Sequence, residues 1–226
     1  ASDVYKRQQY NILDYGAIAD GVTNNAAAIQ QAIDEASAAG GRVVIPQGKY
    51  LSGTLVLKSN IDFHLEKGAV LISSLNQEDI MDFAKLFEDD NACTGWDGGC
   101  FLFACHEENI TISGEGVIYG QGDKVFIDDD VDGGAHECPL SVAAFRPRTT
   151  FLEDVTNLTV RDITIQDAAF WTLHMAGCHH VRVQDIKILN DVRGANNDGI
   201  DPDCCKDVLI TGCLVKTGDD LSLIHI

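Results

Sequence analysis

Positive charge is what this sequence has least of. Its 226 residues carry 16 Lys and Arg against 35 Asp and Glu, a formal net charge of −19. Phosphate backbones and anionic lipid surfaces are bound by clustered cations, so this balance argues against a general nucleic-acid or membrane-surface binder. Long apolar runs are missing too: nothing approaches the ~18 consecutive apolar residues of a membrane span. The opening ASDVYKRQQY has neither the apolar stretch of a secretory leader nor an initiator Met. A leader upstream is compatible with that, which leaves a secreted, periplasmic or cytoplasmic location open. Zinc-type spacing is absent among the eight cysteines. Cys93, Cys100 and Cys105 fit no common zinc pattern, and the adjacent Cys204 and Cys205 cannot easily bridge each other. Buried thiols or an occasional disulfide are the better reading. What the chain does have is 45% hydrophobic residues, enough for a continuous core. Its length suits one large domain, and a single repetitive β architecture of this size is ordinary.

A repeat is present. NLTVRDITIQ (157–166), HVRVQDIKIL (180–189) and DVLITGCLVK (207–216) align column by column. Leu158, Val181 and Val208 share one column; Val160, Val183 and Ile210 the next; Ile163, Ile186 and Cys213 a third; Ile165, Ile188 and Val215 a fourth. The step is 23 residues, then 27. Earlier segments beginning at Asn60 and Asn109 have the same character. Each unit reads as two short β-branched strands with period-2 alternation around a polar or Gly-containing corner. One such pair cannot bury its apolar face, but stacked coils can. The period is shorter than a propeller blade of ~40–50 residues, and a leucine-rich consensus is missing. The expected fold is therefore all-β, a right-handed parallel β-helix.

One segment reads as a short helix near the N-terminal end. Thr23 is placed to N-cap a run from 24 to about 39, with Ala27, Ala28, Ala32, Ile33 and Ala36 on one side and Gly40-Gly41 closing it. A strand, RVVIP (42–46), follows. A helix there would cover the open strand edge of the solenoid. Two irregular stretches, about 76–99 and 120–140, read as long loops of the kind that line a solenoid's binding face.

Three acids stand out as candidates for chemistry. Asp198 sits in NNDGID (196–201); Asp219 and Asp220 sit in TGDD (217–220). Counting back from the aligned strands puts Asp198 in the column of Trp171, one coil earlier, and Asp220 follows 22 residues later. Adjacent coils are spaced like strands, roughly 4.8 Å apart, so Asp198 is expected to lie over the Asp219–Asp220 pair. Crowded carboxylates split their pKa values and leave one protonated near neutral pH. That supplies an acid for a leaving oxygen and a base for water, the requirement for glycoside hydrolysis. Acids at coil corners also serve as Asx turns, and spacing alone leaves both readings open.

Several segments resemble one family. YNILDYGAIADGVT (10–23), AIQQAI (28–33), GRVVIP (41–46), GKYLSGTL (48–55), FWTLH (170–174), NNDGID (196–201) and GDD (218–220) occur in the order seen in glycoside hydrolases of family 28, the polygalacturonase family. The likeness covers about 10–220, with Asn197 standing where the family motif has Thr. It implies a right-handed parallel β-helix that hydrolyses α-1,4-galacturonide linkages of pectin or polygalacturonate with inversion and no cofactor or metal. It implies Asp219 as general acid, Asp198 and Asp220 as activators of water, and Asn196 and Asp201 as residues shaping the site. Pectic polysaccharide or oligogalacturonides would be the partner of a monomeric enzyme, with exo action suggested by the 170–174 segment and the loops. Rhamnogalacturonan or another uronide is an alternative substrate. A pectate lyase needing calcium and an Arg base, and a non-catalytic carbohydrate-binding β-helix, are alternative functions.

The sequence also departs from the family. The Gly-His-Gly and Arg-Ile-Lys motifs expected after Gly-Asp-Asp are absent from it. Ser222 falls where alternation calls for an inward apolar residue, and His225 comes too early to be the family's His. The expected organisation is one β-helix domain over 10–220, truncated on its C-terminal side, with 1–9 foreign or disordered and 221–226 foreign. As a fragment it would be inactive.

Other candidates weigh less. Asp128 to Gly133 has the Asp-x-Asp-x-Asp-Gly pattern of a calcium loop, but the twelfth position is Pro139. His136-Glu137-Cys138 lacks a third ligand at metal spacing. Trp171 is a candidate aromatic wall for sugar, or else a cover for a neighbouring loop. His174 aligns with Asp201 as a site edge or a corner residue. Cys178 and Cys205 align as a packed corner stack. Arg146-Pro147-Arg148 is the best local basic group for an anionic substrate.

Overall fold

In the computed structural model, residues 8–82, 99–128 and 140–222 are described. They form a right-handed parallel β-helix whose coils contribute to three sheets. Two seven-stranded sheets are joined by a five-stranded third. A late coil shows the plan: Thr159–Arg161 in the first sheet, Thr164–Gln166 in the second and Leu173–Ala176 in the third. Every pairing within these three sheets is parallel, between one coil and the next.

The columns expected from the sequence are the observed register. Val160 pairs with Val183 and Val183 with Ile210; Ile165 pairs with Ile188 and Ile188 with Val215. The inward side chains Leu158, Val160, Val181, Val183, Ile186 and Ile188 are 0–1% exposed. Each fully buried aliphatic of this kind contributes roughly 1.5–3 kcal/mol relative to exposure, so stacking identical coils supplies the core that a single coil lacks.

The third sheet is the part that the two-strand reading of each coil misses. Its outward residues Phe103, Phe151 and His174 are as buried as its inward ones. With both faces covered, the polar alternation that marks a half-buried strand is erased. Phe103, Phe151 and Cys100 form a second apolar cluster on that outer face, with Val56, Met81 and Ala176 packed against it.

The helix runs Ala26–Ala39, starting two residues later than expected. Thr23 does not cap it, because Asp20–Asn24 is a strand and Thr23 bonds back to Asp20. Asn25 occupies the cap position, but its side chain ties the backbone at Ile18, Thr23 and Leu51 together. The buried face is Ile29, Ala32, Ile33 and Ala36, while Ala27 points to solvent. Gly40 closes the helix in the left-handed region at φ 72°. The strand Gln9–Asn11, the 3₁₀ turn Ile12–Tyr15, the strand Arg42–Ile45 and Leu55–Val56 lie against this helix, so it covers the first coil as expected.

Corners repeat as well. Asn60, Asn109 and Asn157 all adopt positive φ (64°, 56° and 59°), where Asn is the least strained side-chain-bearing residue. Their amides stack into a ladder: Asn109 Nδ2 donates to Asn60 Oδ1 at 2.9 Å and Asn157 Nδ2 to Asn109 Oδ1 at 3.0 Å. Of the two stretches expected as loops, the second contains the strand Phe126–Ile127, which pairs antiparallel with Ser141–Val142 just beyond it. The first contains a 3₁₀ turn, Gln77–Asp79, and a bridge between Asp82 and Gly99. Cys93, His136, Glu137, Cys138, Asp129 to Gly133, the start of the chain before Gln8 and His225 lie outside the described residues.

Candidate active site

The site is built at the entry to the third sheet, where three successive coils each deliver one residue to the same column. Leu173 pairs with Ile200, and Ile200 bridges Ser222, so Trp171, Asp198 and Asp220 fall in line. Backbone bonds fix that line: Thr172 N donates to the Asp198 carbonyl at 3.1 Å and Gly199 N to the Asp220 carbonyl at 2.8 Å. Arg148 precedes Trp171 in the column, since Phe151 pairs with His174.

Asp198, Asp219 and Asp220 come together as the sequence columns required. One carboxylate oxygen from each lies within 4.8 Å of the others. Asp198 is 5% exposed, whereas Asp219 and Asp220 are open to solvent. Burial first, then the charges of Asp219 and Asp220, push the Asp198 carboxyl up to about 6, with Arg146 opposing. The buried Asp198 Oδ1 has no hydrogen-bond partner among the described residues. Asp219 Oδ2 accepts the backbone N–H of Asn196 at 3.1 Å, which aims it. Chemically, the arrangement offers a buried carboxyl with a raised pKa beside two exposed ones on an open surface. The same three are the only group among the described residues whose ligand atoms are spaced to hold a cation.

Asn196 is part of this assembly. Its φ of 54° turns the chain, and its Oδ1 accepts from Arg146 Nη2 at 3.0 Å. Arg146 also donates to the Ala195 carbonyl at 2.7 Å and lies 4.5 Å over the Phe170 ring. Arg146 and Arg148 are 9% and 3% exposed, so they brace the site from below rather than present a basic surface to a substrate. Arg148 stacks 5.1 Å over Trp171, whose ring is parallel to Phe170 at 5.7 Å. Trp171 is half-buried and stands next to Asp198 in the column.

His174 and Asp201 pair side by side, as aligned, but both are buried. His174 sits between Phe151 (4.8 Å) and the edge of Trp171 (4.7 Å), and neither ring nitrogen has a hydrogen-bond partner among the described residues. Burial, reinforced by Arg148, lowers its pKa to about 4, so the ring is neutral at physiological pH. These two residues support the wall behind Trp171 and Asp198 instead of forming its surface.

Two struts escaped the sequence reading. Asn197 is fully buried and bonds to the chain at Asp191, Thr217 and Gly218. Asn190 donates to the Asn197 carbonyl at 2.9 Å and to Thr172 Oγ1 at 2.8 Å. A polar side chain in a coil corner carries no periodicity; the available signal was that Asn197 departs from the Thr of the motif. Among the remaining candidates, Asp128 pairs with Arg193 at 2.7 Å. Cys178 and Cys205 pack on adjacent coils, with Cys178 N donating to Cys205 Sγ at 3.3 Å.

Residues 38–225 match the model of the family described as glycosyl hydrolases family 28. A probable polygalacturonase from Vitis vinifera is 28% identical over 220 residues, covering 93% of this chain and 43% of that protein. An exo-poly-alpha-D-galacturonosidase from Dickeya chrysanthemi is 28% identical over 255 residues, covering 93% of this chain and 40% of its own length. The solved structure of a family 28 exopolygalacturonase from Yersinia enterocolitica superposes with a TM-score of 0.79 at 26% identity, covering 97% of this chain and 45% of that one. The chain thus spans about two-fifths of the length of these curated relatives.

Proposed function

The chain belongs to the glycosyl hydrolases of family 28, and on that premise we propose that it forms the acid/base centre of an enzyme hydrolysing α-1,4-galacturonide linkages of pectin. The observation that carries this is the meeting of Asp198, Asp219 and Asp220, from two successive coils, within 4.8 Å on an open face. Asp219 is the proton donor. It is exposed, so a sugar laid on the site can bring its glycosidic oxygen within reach of this carboxyl. Asp198 and Asp220 hold and deprotonate the attacking water, giving inversion as the family resemblance implies. Trp171 offers its half-buried ring as a wall for the sugar, Asn196 shapes the site beside Asp219, and the buried Asp201 backs that wall. No cofactor or metal takes part in this scheme. The enzyme acts as a monomer, on polygalacturonate or its oligomers.

Two outcomes follow with the protein containing this chain intact. Polygalacturonate should yield new reducing ends without the unsaturated sugars that β-elimination leaves, and chelators should not slow it. Asp219→Asn should cut kcat about 10²- to 10⁴-fold, the usual worth of a positioned acid. Unsaturated products would instead identify a lyase, and tight binding without turnover a binding module.

A further inference from the structure

The exposed pair Asp219–Asp220 sits on a turn that must be held at a fixed distance from Asp198, and one side chain spans the gap. Asn197 directly precedes Asp198, and Gly218 directly precedes Asp219. Asn197 Oδ1 accepts the backbone N–H of Gly218 at 2.8 Å and lies 3.0 Å from the Thr217 hydroxyl, which also reaches the Asn197 carbonyl. Its Nδ2 donates to the Asp191 carbonyl at 2.8 Å. Both ends of the amide are therefore used, and the side chain is 0% exposed. From the other side the turn is clamped by backbone: a Cβ on Gly218 would stand 2.5 Å from the Gly194 carbonyl oxygen. Nothing else in the described structure ties the residue before one acid to the residue before the other.

We propose that Asn197 is the positioning residue of this site: its amide sets the separation between Asp198 and the Asp219–Asp220 pair. The proposal rests on the hydrolase reading above for its effect on turnover. Asn suits the task because one planar group, itself buried, accepts from the Gly218 N–H of the next coil while donating to the Asp191 carbonyl of its own coil. Displacing catalytic groups by about 1 Å costs on the order of 10²-fold in rate.

The test uses the protein containing the intact chain. Asn197→Ala is expected to lower kcat about 10²-fold while KM changes little, the pattern of a lost transition-state geometry. Asn197→Thr, which keeps a hydroxyl able to accept from Gly218, is expected to recover roughly ten-fold of that loss. Thr217→Val, which keeps the side chain's shape and removes only the hydroxyl, should lower kcat in the same direction by a smaller factor. An independent readout is the Asp198 carboxyl titration followed by carbon-13 NMR, since Asp219, Asp220 and Arg146 are the charged groups that face it. Its midpoint should fall toward the ordinary carboxylate range in Asn197→Ala and Thr217→Val as the pair drifts away. Unchanged kcat and an unchanged midpoint in Thr217→Val and in whichever Asn197 variants fold would overturn the proposal. Should Asp219→Asn retain full activity, the catalytic reading fails, while the titration still decides whether Asn197 holds the carboxylates together.

Discussion

Keeping Asp198 ionised in a nearly inaccessible position costs the folded state free energy. Its folded pKa of about 6 stands above the ordinary 3.8. The folded form therefore binds the proton more tightly than the unfolded chain, and this group's contribution to stability is greatest below about pH 4. It declines as pH rises toward 6 and is level beyond, for a cost on the order of 3 kcal/mol. Asp198→Asn should accordingly raise the unfolding free energy by about 2–3 kcal/mol at pH 7 and by almost nothing at pH 4. Denaturant melts across that range would check it, alongside the loss of turnover. His174 works in the opposite sense. With a folded pKa of about 4 against the ordinary 6.5, it contributes fully above pH 6.5 and that contribution is lost as pH falls toward 4. His174→Phe, filling the slot between Phe151 and Trp171, should remove this acid-sensitive component; melts at pH 5 and pH 7 that differ as much as in the wild type would speak against it. Of the acids, all three that meet were legible in the sequence, because each occupies a countable place in a repeating coil. Asn197 and Arg146 were not legible in their roles: the first is a corner residue without periodicity, and the second reads as a surface cation until its burial is seen.

Secondary-structure elements divide in the same way. Strands of the first two sheets were readable from alternation, down to the register of Val183 on Ile210. Strands of the third were hidden by burial on both faces, and Ile200–Asp203 carries a proline as well. This is also the sheet that bears the site, so function and loss of pattern coincide there for one reason: outward positions are occupied by Trp171, His174, Asp198 and Asp201 rather than by generic polar residues. Turns carry their own constraints. Gly114 has φ 111°, and a Cβ there would lie 1.9 Å from the Leu65 carbonyl oxygen. Gly114→Ala must shift the backbone of the neighbouring coil, and a loss of more than about 4 kcal/mol is expected. Thermal unfolding near wild-type temperature would contradict that. Asn109 both donates and accepts within the corner ladder, so Asn109→Ala should cost about 1–2 kcal/mol through the lost bonds and the positive φ.

For the molecule as a whole, the net charge of −19 acquires a different meaning once the proposed substrate is a polyanion. Like charges repel over roughly a Debye length, ~10 Å at 0.1 M salt and ~30 Å at 0.01 M. Turnover of polygalacturonate should therefore show a KM that falls as salt rises from about 0.01 to 0.1 M, whereas a neutral methyl-esterified analogue should show no such fall. A rising KM would mean that local cations dominate the encounter. The column Arg148, Trp171, Asp198, Asp220 carries a last consequence. Because each member comes from a separate coil, spacing along the cleft is quantised in strand steps of about 4.8 Å. A duplicated coil inserted between those of Trp171 and Asp198 would move the aromatic wall one step away while leaving the carboxylates at their original separation. The cleft can thus be lengthened like a ruler, one notch at a time, without redesigning the chemistry at its end.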